Sequence, residues 1–177
     1  MTQTLSCTCG QVRLAVEAAG PIASVECCCT SCREAGSRLA RLPGAVPVLS
    51  SFGATRFELY RKDRVRVLGG EGRLGEFRLS PKARTRRVVA TCCNAPVFLE
   101  FEGGHWLSLY GSLWPEGTLP PLQMRTMTAD LPDPSVLPSD VPNARGQSLS
   151  FFAKLLGAWV AMGFLAPKVK VASTLHV

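Results

Sequence analysis

The sequence predicts a mainly β domain of antiparallel strands, and two observations in its first hundred residues indicate it. Apolar and polar residues alternate over residues 12–17 and 64–68, which is the period-2 pattern of strands with one buried face. Glycine pairs at 69–70 and 103–104 stand where tight turns would join such strands. The same alternation marks three further segments: 57–59, 76–79 and 97–101.

The chain of 177 residues is long enough for one domain with its own hydrophobic core. We expect residues 1–113 to form the β domain. Seven prolines between positions 115 and 142 prevent long regular elements, so residues 114–148 are predicted to be an irregular segment that wraps this domain. Residues 149–177 are predicted to form an apolar helix and tail packed on the same domain.

The predicted C-terminal helix covers residues 149–166 and ends before Pro167. It is apolar nearly all round, with Lys154 as its only charge. A helix of this length spans about 27 Å, slightly less than the roughly 30 Å hydrocarbon core of a bilayer. Lys154, Gly157 and Gly163 also weaken a membrane-spanning interpretation. The pattern favours a buried helix or one side of a contact between copies, and attachment to a membrane surface stays open.

The formal net charge is +7, with 20 Lys and Arg against 13 acidic residues. Basic residues concentrate at 61–66 and 82–87, where a solvated basic face is the simplest interpretation and an anionic small molecule the alternative. Nucleic acid is disfavoured, because no aromatic residues are interleaved with these runs. The N-terminal residues lack a secretory pattern, so we expect a cytoplasmic protein whose thiols are free or metal-bound.

Eight cysteines carry the functional information of the chain. They form a first cluster at positions 7 and 9, a middle cluster at 27–29 and 32, and a last cluster at 92 and 93. Tight clusters of this kind are typical of soft-metal ligands rather than of a disulfide framework, and thiolates favour zinc over magnesium or calcium. We therefore expect one or two zinc ions. The predicted ligands are Cys7, Cys9, Cys27, Cys29, Cys32, Cys92 and Cys93.

The spacing within the first two clusters predicts how their thiols point. Cys7 and Cys9 share one face if they lie on a strand. Cys27, Cys29 and Cys32 can occupy three corners of a tetrahedron, while Cys28 faces away as a core thiol. Three protein ligands leave a fourth position for water or substrate, as in catalytic zinc sites, and a closed structural site is the alternative.

The pair Cys92-Cys93 leaves two arrangements open. Adjacent strand residues face opposite ways, so both thiols reach one metal only if a turn or bulge intervenes, which Asn94 and Pro96 favour. In the first arrangement, both join Cys7 and Cys9. In the second, Cys93 joins them while Cys92 closes the site of the middle cluster.

Histidine chemistry has little support, because the chain contains two histidines. His105 lies beside a turn, where we expect a surface residue, and His176 lies next to the C-terminus. Nucleophilic mechanisms that need a histidine base are therefore disfavoured.

The segments CTCGQV, CCCTSCREAG and TCCNAPVF resemble the glutathione-dependent formaldehyde-activating enzyme family, which includes centromere protein V. The resemblance covers roughly residues 5–102 and implies a β-tent of antiparallel sheets. It also implies a structural zinc at Cys7, Cys9 and Cys93 and a catalytic-type zinc at Cys27, Cys29 and Cys32. Arg33 matches an arginine that commonly follows the last of these cysteines and is a candidate substrate-binding residue.

The chain departs from the family pattern at Ala90, which stands where the first cysteine of a C-x-x-C motif is expected. Cys92 would compensate, and the adjacent pair resembles a bacterial branch of the same superfamily. The implied activity is that of a carbon–sulfur lyase on a small thiol adduct, such as hydroxymethyl-glutathione, with arginines to hold its carboxylates. The candidates for that role are Arg33, Arg84, Arg86 and Arg87. The alternative is a non-catalytic zinc-stabilised module that acts through its basic face or its C-terminal helix.

Overall fold

A computed structural model describes residues 2–175, and its mainly β architecture confirms the predicted fold class. Two sheets are accompanied by α1 (Thr30–Leu39) and α2 (Leu149–Val160). His176 lies outside the described residues. The strands are β1 (Thr2–Ser6), β2 (Arg13–Glu17), β3 (Ala23–Cys27), β4 (Thr55–Arg61), β5 (Val65–Gly69), β6 (Leu74–Phe77), β7 (Thr85–Ala90), β8 (Ala95–Phe101), β9 (Trp106–Tyr110), β10 (Met124–Thr126) and β11 (Ser173–Thr174).

The two sheets share one hydrophobic core. The smaller sheet has the order β1-β2-β5 and is antiparallel throughout. Its buried side chains, among them Leu5 and Leu14, pack with Val88, Phe98 and Leu109 of the larger sheet. The alternation in the sequence therefore identified the strand faces that meet between the sheets.

The larger sheet has the order β10-β3-β4-β9-β8-β7-β6-β11. Its six inner strands pair antiparallel, whereas the edge strands β10 and β11 pair parallel with β3 and β6. Strand β6 ends at Phe77, two residues earlier than the predicted 76–79 segment, since its pairing with β7 stops at Arg87.

The Pro-rich segment is fastened to the β domain through its short strand β10. Arg125 at its centre is buried and pairs with Glu26 of β3 at 2.7 Å and with Asp140 at 2.7 Å. The Cys28 amide donates to the Thr126 carbonyl at 3.0 Å. The segment therefore runs directly beside the middle cysteine cluster.

Helix α2 is shorter than predicted, because Gly163 and Phe164 adopt left-handed backbone conformations that end it. Phe151 and Leu155 of α2 are buried, and the Leu155 carbonyl lies 2.8 Å from Nε2 of His105. His105 is thus buried under the helix, and its expected surface position is wrong. None of the helices in residues 2–175 has the length and apolar character needed to cross a membrane.

A buried carboxyl group lies in the central strand β4. The Glu58 side chain accepts hydrogen bonds from Ser24 at 2.9 Å and from Arg56 at 3.0 Å, and both bonds fall on Oε1. Its Oε2 has no partner among the described residues. Burial raises the pKa of Glu58 to about 7, although Arg56 and Ser24 act in the opposite direction.

We expect the stability of the chain to fall as pH rises from 4.5 to about 7, relative to Glu58→Gln. The folded protein retains the Glu58 proton over this interval, whereas an unfolded chain releases it at the lower value. The difference in unfolding free energy should change by about 2 kcal/mol in urea titrations at a series of pH values. Both proteins contain the same cysteines, so the comparison isolates Glu58. Stability curves that stay parallel would contradict the prediction.

Candidate metal centres and adjoining cavity

Four thiols that are distant in sequence come together in the first cysteine group. Its members are Cys7, Cys9, Cys92 and Cys93. Their sulfur atoms all lie within 4.8 Å of one another. The Sγ–Sγ distances are 3.6 Å for Cys7–Cys9, 3.8 Å for Cys7–Cys92 and 3.3 Å for Cys9–Cys92. The structure therefore shows the first of the two arrangements left open by the sequence.

The four cysteines lie in two turns. Cys7 and Cys9 lie after the end of β1, in a turn where Gly10 has φ +74° and donates to the Cys7 carbonyl at 2.9 Å. The expectation of a shared strand face is thus replaced by a turn. Cys92 and Cys93 lie in the turn between β7 and β8, where Asn94 has φ +57° and donates to the Ala90 carbonyl at 2.8 Å. This turn lets two adjacent side chains point to the same side.

The donor set and spacing of the first cysteine group fit a tetrahedral thiophilic ion. Zinc–sulfur bonds of about 2.3 Å in a tetrahedron place neighbouring sulfurs roughly 3.8 Å apart. Burial raises the pKa of the Cys92 thiol to about 12, and hydrogen bonds with the Cys9 and Cys7 side chains act in the same direction. A cation at the centre would reverse this shift, because coordinated thiols lose their protons. Ala90 is fully buried in the core, and Cys92 supplies the fourth sulfur.

The second cysteine group consists of Cys27, Cys29 and Cys32, whose sulfurs also lie within 4.8 Å of one another. Cys27 ends β3, and Cys29 is the N-cap of α1, where its Sγ accepts from the Cys32 amide at 3.3 Å. Helix α1 was not predicted from the sequence. A signal was present, since residues 33–41 include three arginines, two alanines, a leucine and a glutamate, all of which favour helices.

The electrostatics of the second cysteine group favour one thiolate at Cys29. Hydrogen bonds from the Cys27 and Cys32 thiols, and one from Ser31, lower the pKa of Cys29 to about 2. Its position at the N-terminus of α1 acts in the same direction. The pKa of Cys27 is raised to about 12, chiefly by its hydrogen bond to Cys29. Without a cation, these shifts favour a single thiolate, at Cys29, over ionisation of the Cys27 thiol.

The second cysteine group forms part of the wall of a cavity of about 360 Å³. This volume lies within the usual range of small-molecule sites. The lining is largely apolar, with Phe57, Leu99 and Trp106 from the large sheet and Phe151 from α2. Met127, Asp130 and Gln147 from the Pro-rich segment complete one side. The first cysteine group contributes no residue to this lining.

Arg87 lines the same cavity and is 1% exposed. Its Nη2 donates to the Ser31 carbonyl at 3.1 Å, and its Nη1 lies 3.5 Å from Thr85 Oγ1. Its Nε has no partner within residues 2–175, and no ion pair between those residues includes Arg87. A buried cation without a carboxylate requires another source of negative charge, and thiolates or an anionic ligand can provide it.

The remaining candidate residues lie elsewhere. Arg33 donates to the Asp130 carbonyl at 2.7 Å and is absent from the residues that line the cavity. Asp130 also accepts from the Thr30 amide at 3.1 Å, so it fastens the start of α1. Cys28 is fully buried in a core cluster with Ala54 and Leu131. The role of Asp130 could not be predicted from local sequence, because Thr30 and Asp130 are 100 residues apart.

Arg84 and Arg86, the other two candidates, do not line this cavity either. Arg86 is held by Glu76 at 2.7 Å and by Glu100 at 2.5 Å. Arg84 is exposed and lines a different depression. Among the four arginines proposed to hold a carboxylate, Arg87 is therefore the one that the fold places beside the second cysteine group.

Comparisons with known proteins leave the family of this chain open. No family model matches the chain, and no curated protein matches it either. A crystal structure of a Rhodobacter sphaeroides protein is similar over 80% of this chain and 99% of its own, with 17% identity and a TM-score of 0.48. Membership in the formaldehyde-activating superfamily therefore stays a proposal.

We expect the chain to bind two thiophilic ions, one in each cysteine group. Cadmium is a suitable probe, because its bonds to thiolates absorb by sulfur-to-metal charge transfer. Titration of the chelator-treated protein should reach saturation at about two ions per chain. Cys9→Ser combined with Cys92→Ser, and Cys29→Ser alone, each leave two thiols in the altered group and should each reduce the high-affinity stoichiometry to about one.

Cys28→Ala is the matched control, because Cys28 lies between the same neighbours but faces the core. It should retain both ions. A stoichiometry that is unchanged in the Cys9/Cys92 double variant or in Cys29→Ser would contradict binding at the corresponding group.

Proposed function

We propose that this chain is a zinc-thiolate protein with two different sites. Cys7, Cys9, Cys92 and Cys93 would hold a structural ion that fastens the two sheets. Cys27, Cys29 and Cys32 would hold a second ion beside the cavity. The observation that carries the proposal is the unequal number of sulfurs. Cys92 belongs to the first group, so three thiols remain for the second.

The activity that this arrangement supports best is a carbon–sulfur lyase reaction on a small thiol adduct. In such a reaction, the bond between sulfur and a hydroxylated carbon breaks, sulfur retains the electron pair, and the hydroxyl proton transfers to sulfur. Zinc bound by three thiolates supplies a Lewis acid for a sulfur or oxygen atom of the substrate. The apolar lining would exclude water around the adduct, and Phe151 and Trp106 contribute to this lining.

Arg87 supports an anionic substrate within this class. Its guanidinium lies in the cavity wall, and its Nε donor has no partner among the residues that the structure describes. A carboxylate of a glutathione-like adduct would supply the missing acceptor through a charge-assisted hydrogen bond. Arg87 would then bind and orient the substrate while the three cysteines hold the ion.

A second candidate function is a non-catalytic binding module stabilised by zinc. The observation that favours it is the outer side of α2, where Phe152 and Leu156 are 51% and 56% exposed. In this case both metal sites would be closed, and the chain would act through surface contacts.

Sulfur coordination at zinc distinguishes the two functions. With an intact second cysteine group of three thiolates, X-ray absorption of the two-zinc protein should give about 3.5 sulfurs per zinc and one light-atom ligand per two ions. Four sulfurs at every zinc would contradict a three-thiolate site. Cys9→Ser combined with Cys92→Ser leaves two thiols in the first cysteine group, so the ion that remains in the second group should show about three sulfurs.

Turnover should depend on Cys29 and Arg87 in different ways. The exchange between formaldehyde and its hydroxymethyl-glutathione adduct can be followed by magnetisation transfer in NMR. We expect the zinc-loaded protein to accelerate it and Cys29→Ser to reduce the rate by at least about a hundredfold. Arg87→Gln should raise KM for the glutathione adduct about tenfold or more, because it removes a charge-assisted contact.

The hydroxymethyl adduct of 2-mercaptoethanol is the matched substrate, since it has no carboxylate. Its KM should change little in Arg87→Gln. Cys28→Ala serves as the protein control and should retain turnover. Absence of acceleration with both adducts, at full zinc loading, would contradict the lyase activity.

A further inference from the structure

Helix α2 presents an apolar stripe to solvent. Leu149, Phe152, Leu156 and Val160 are separated by three or four residues, so they share one side of the helix, and they are 51–89% exposed. The stripe continues past the helix end through Phe164 and Leu165, which are 60% and 66% exposed. We call these six residues the C-terminal apolar face.

The C-terminal apolar face is fixed in its outward orientation. Phe151, Leu155 and Met162 are buried against the body of the protein. His105 contacts the Leu155 carbonyl at 2.8 Å and stacks on Trp159 with 5.6 Å between ring centroids. The helix therefore cannot rotate its exposed stripe inward without losing these contacts.

A groove of about 770 Å³ extends the C-terminal apolar face toward the large sheet. Phe152, Leu156 and Trp159 form one wall, and Phe101 and Trp106 lie in the other. Aromatic side chains of this kind are frequent where a protein meets the boundary between lipid headgroups and acyl chains.

The charged side chains around the C-terminal apolar face are mostly positive. The 37 residues after Asp140 contain no aspartate or glutamate, and their cations are Arg145, Lys154, Lys168 and Lys170. Lys168 and Lys170 are exposed and lie three and five residues after Leu165. Arg84 lines both the groove and a neighbouring depression that includes Lys168. The acids there are Glu102 and Glu100, and Glu100 is already paired with Lys62 and Arg86.

We propose that the C-terminal apolar face docks on the surface of an anionic lipid membrane. The apolar stripe would enter the headgroup boundary, while Lys168, Lys170 and Arg84 contact acidic headgroups. A second copy of the chain fits this face less well, because a symmetric contact would bring two acid-free segments of the same positive charge together. At 12 residues, α2 lies on the surface and does not span it.

Co-sedimentation with vesicles tests the proposal on the full-length, metal-loaded chain. We expect binding to vesicles of phosphatidylcholine and phosphatidylserine in equal parts, and at least about tenfold weaker binding to phosphatidylcholine alone. Raising the salt concentration should weaken the first interaction. Phe152→Ser combined with Leu156→Ser should reduce partitioning at least about tenfold, since two exposed apolar anchors are lost.

Matched variants place the same chemical changes elsewhere on the surface. Leu68→Ser combined with Val136→Ser removes two apolar side chains of similar exposure, 49% and 55%. Arg41→Gln combined with Arg66→Gln is the charge control for Lys168→Gln combined with Lys170→Gln. We expect the controls to bind like the unaltered chain, and the lysine variant to lose most of its preference for phosphatidylserine.

Three results would overturn the proposal. The first is recovery of the chain in the supernatant with both kinds of vesicle. The second is equal partitioning of the Phe152/Leu156 variant and the Leu68/Val136 control. The third is a stable dimer in analytical ultracentrifugation that the Phe152/Leu156 variant dissociates, which would assign the face to a contact between copies. None of these measurements depends on lyase turnover, so this proposal and the proposed function can fail separately.

Discussion

The arrangement of the molecule depends on the convergence of two turns that belong to different sheets. The turn after β1 carries Cys7 and Cys9, and the turn between β7 and β8 carries Cys92 and Cys93. Four sulfurs within 4.8 Å form few strong hydrogen bonds and repel one another when ionised, so a shared cation is what would make their proximity favourable. Because the hydrophobic core lies between the same two sheets, a cation bound here would link the two sheets at the edge of that core.

The second cysteine group differs from the first in its number of thiols and in the net charge that it would have with a bound ion. A divalent ion with three thiolates has a net charge of about −1, against about −2 with four. Arg87 lies in the wall of the cavity beside the second cysteine group and has no carboxylate partner among the described residues. Its positive charge would therefore offset the net charge of about −1 at the three-thiolate site. The N-terminus of α1 adds a further favourable field, and Asp130 holds that helix end in place. Burial of the arginine and clustering of the thiols thus become mutually favourable once an ion is bound.

The strands and the cysteine clusters could be predicted from sequence, because both depend on local spacing. Alternation identified β2, β4, β5 and β8, and the clusters identified the cysteines that are candidate ligands, with the partners of Cys92 left open. The direction of Cys92 could not be predicted, since it depends on a left-handed Asn94 inside a turn. Helix α1 was obscured because its N-cap is a cysteine, which is not among the usual capping residues. Strand β10, Asp130 and the burial of Arg87 depend on partners far away in sequence, and local patterns contain no information about them.

The cavity and the C-terminal apolar face are physically connected. Phe101 and Trp106 line both the cavity beside the second cysteine group and the groove beside α2, and Phe151 of α2 forms part of the cavity wall. Contact of α2 with another surface would therefore act on side chains that shape the cavity. A change in the position of Phe151 or Trp106 would alter the access of water and of a ligand to the three thiols. The second cysteine group and the C-terminal apolar face thus share packed aromatic side chains, although they lie on different elements.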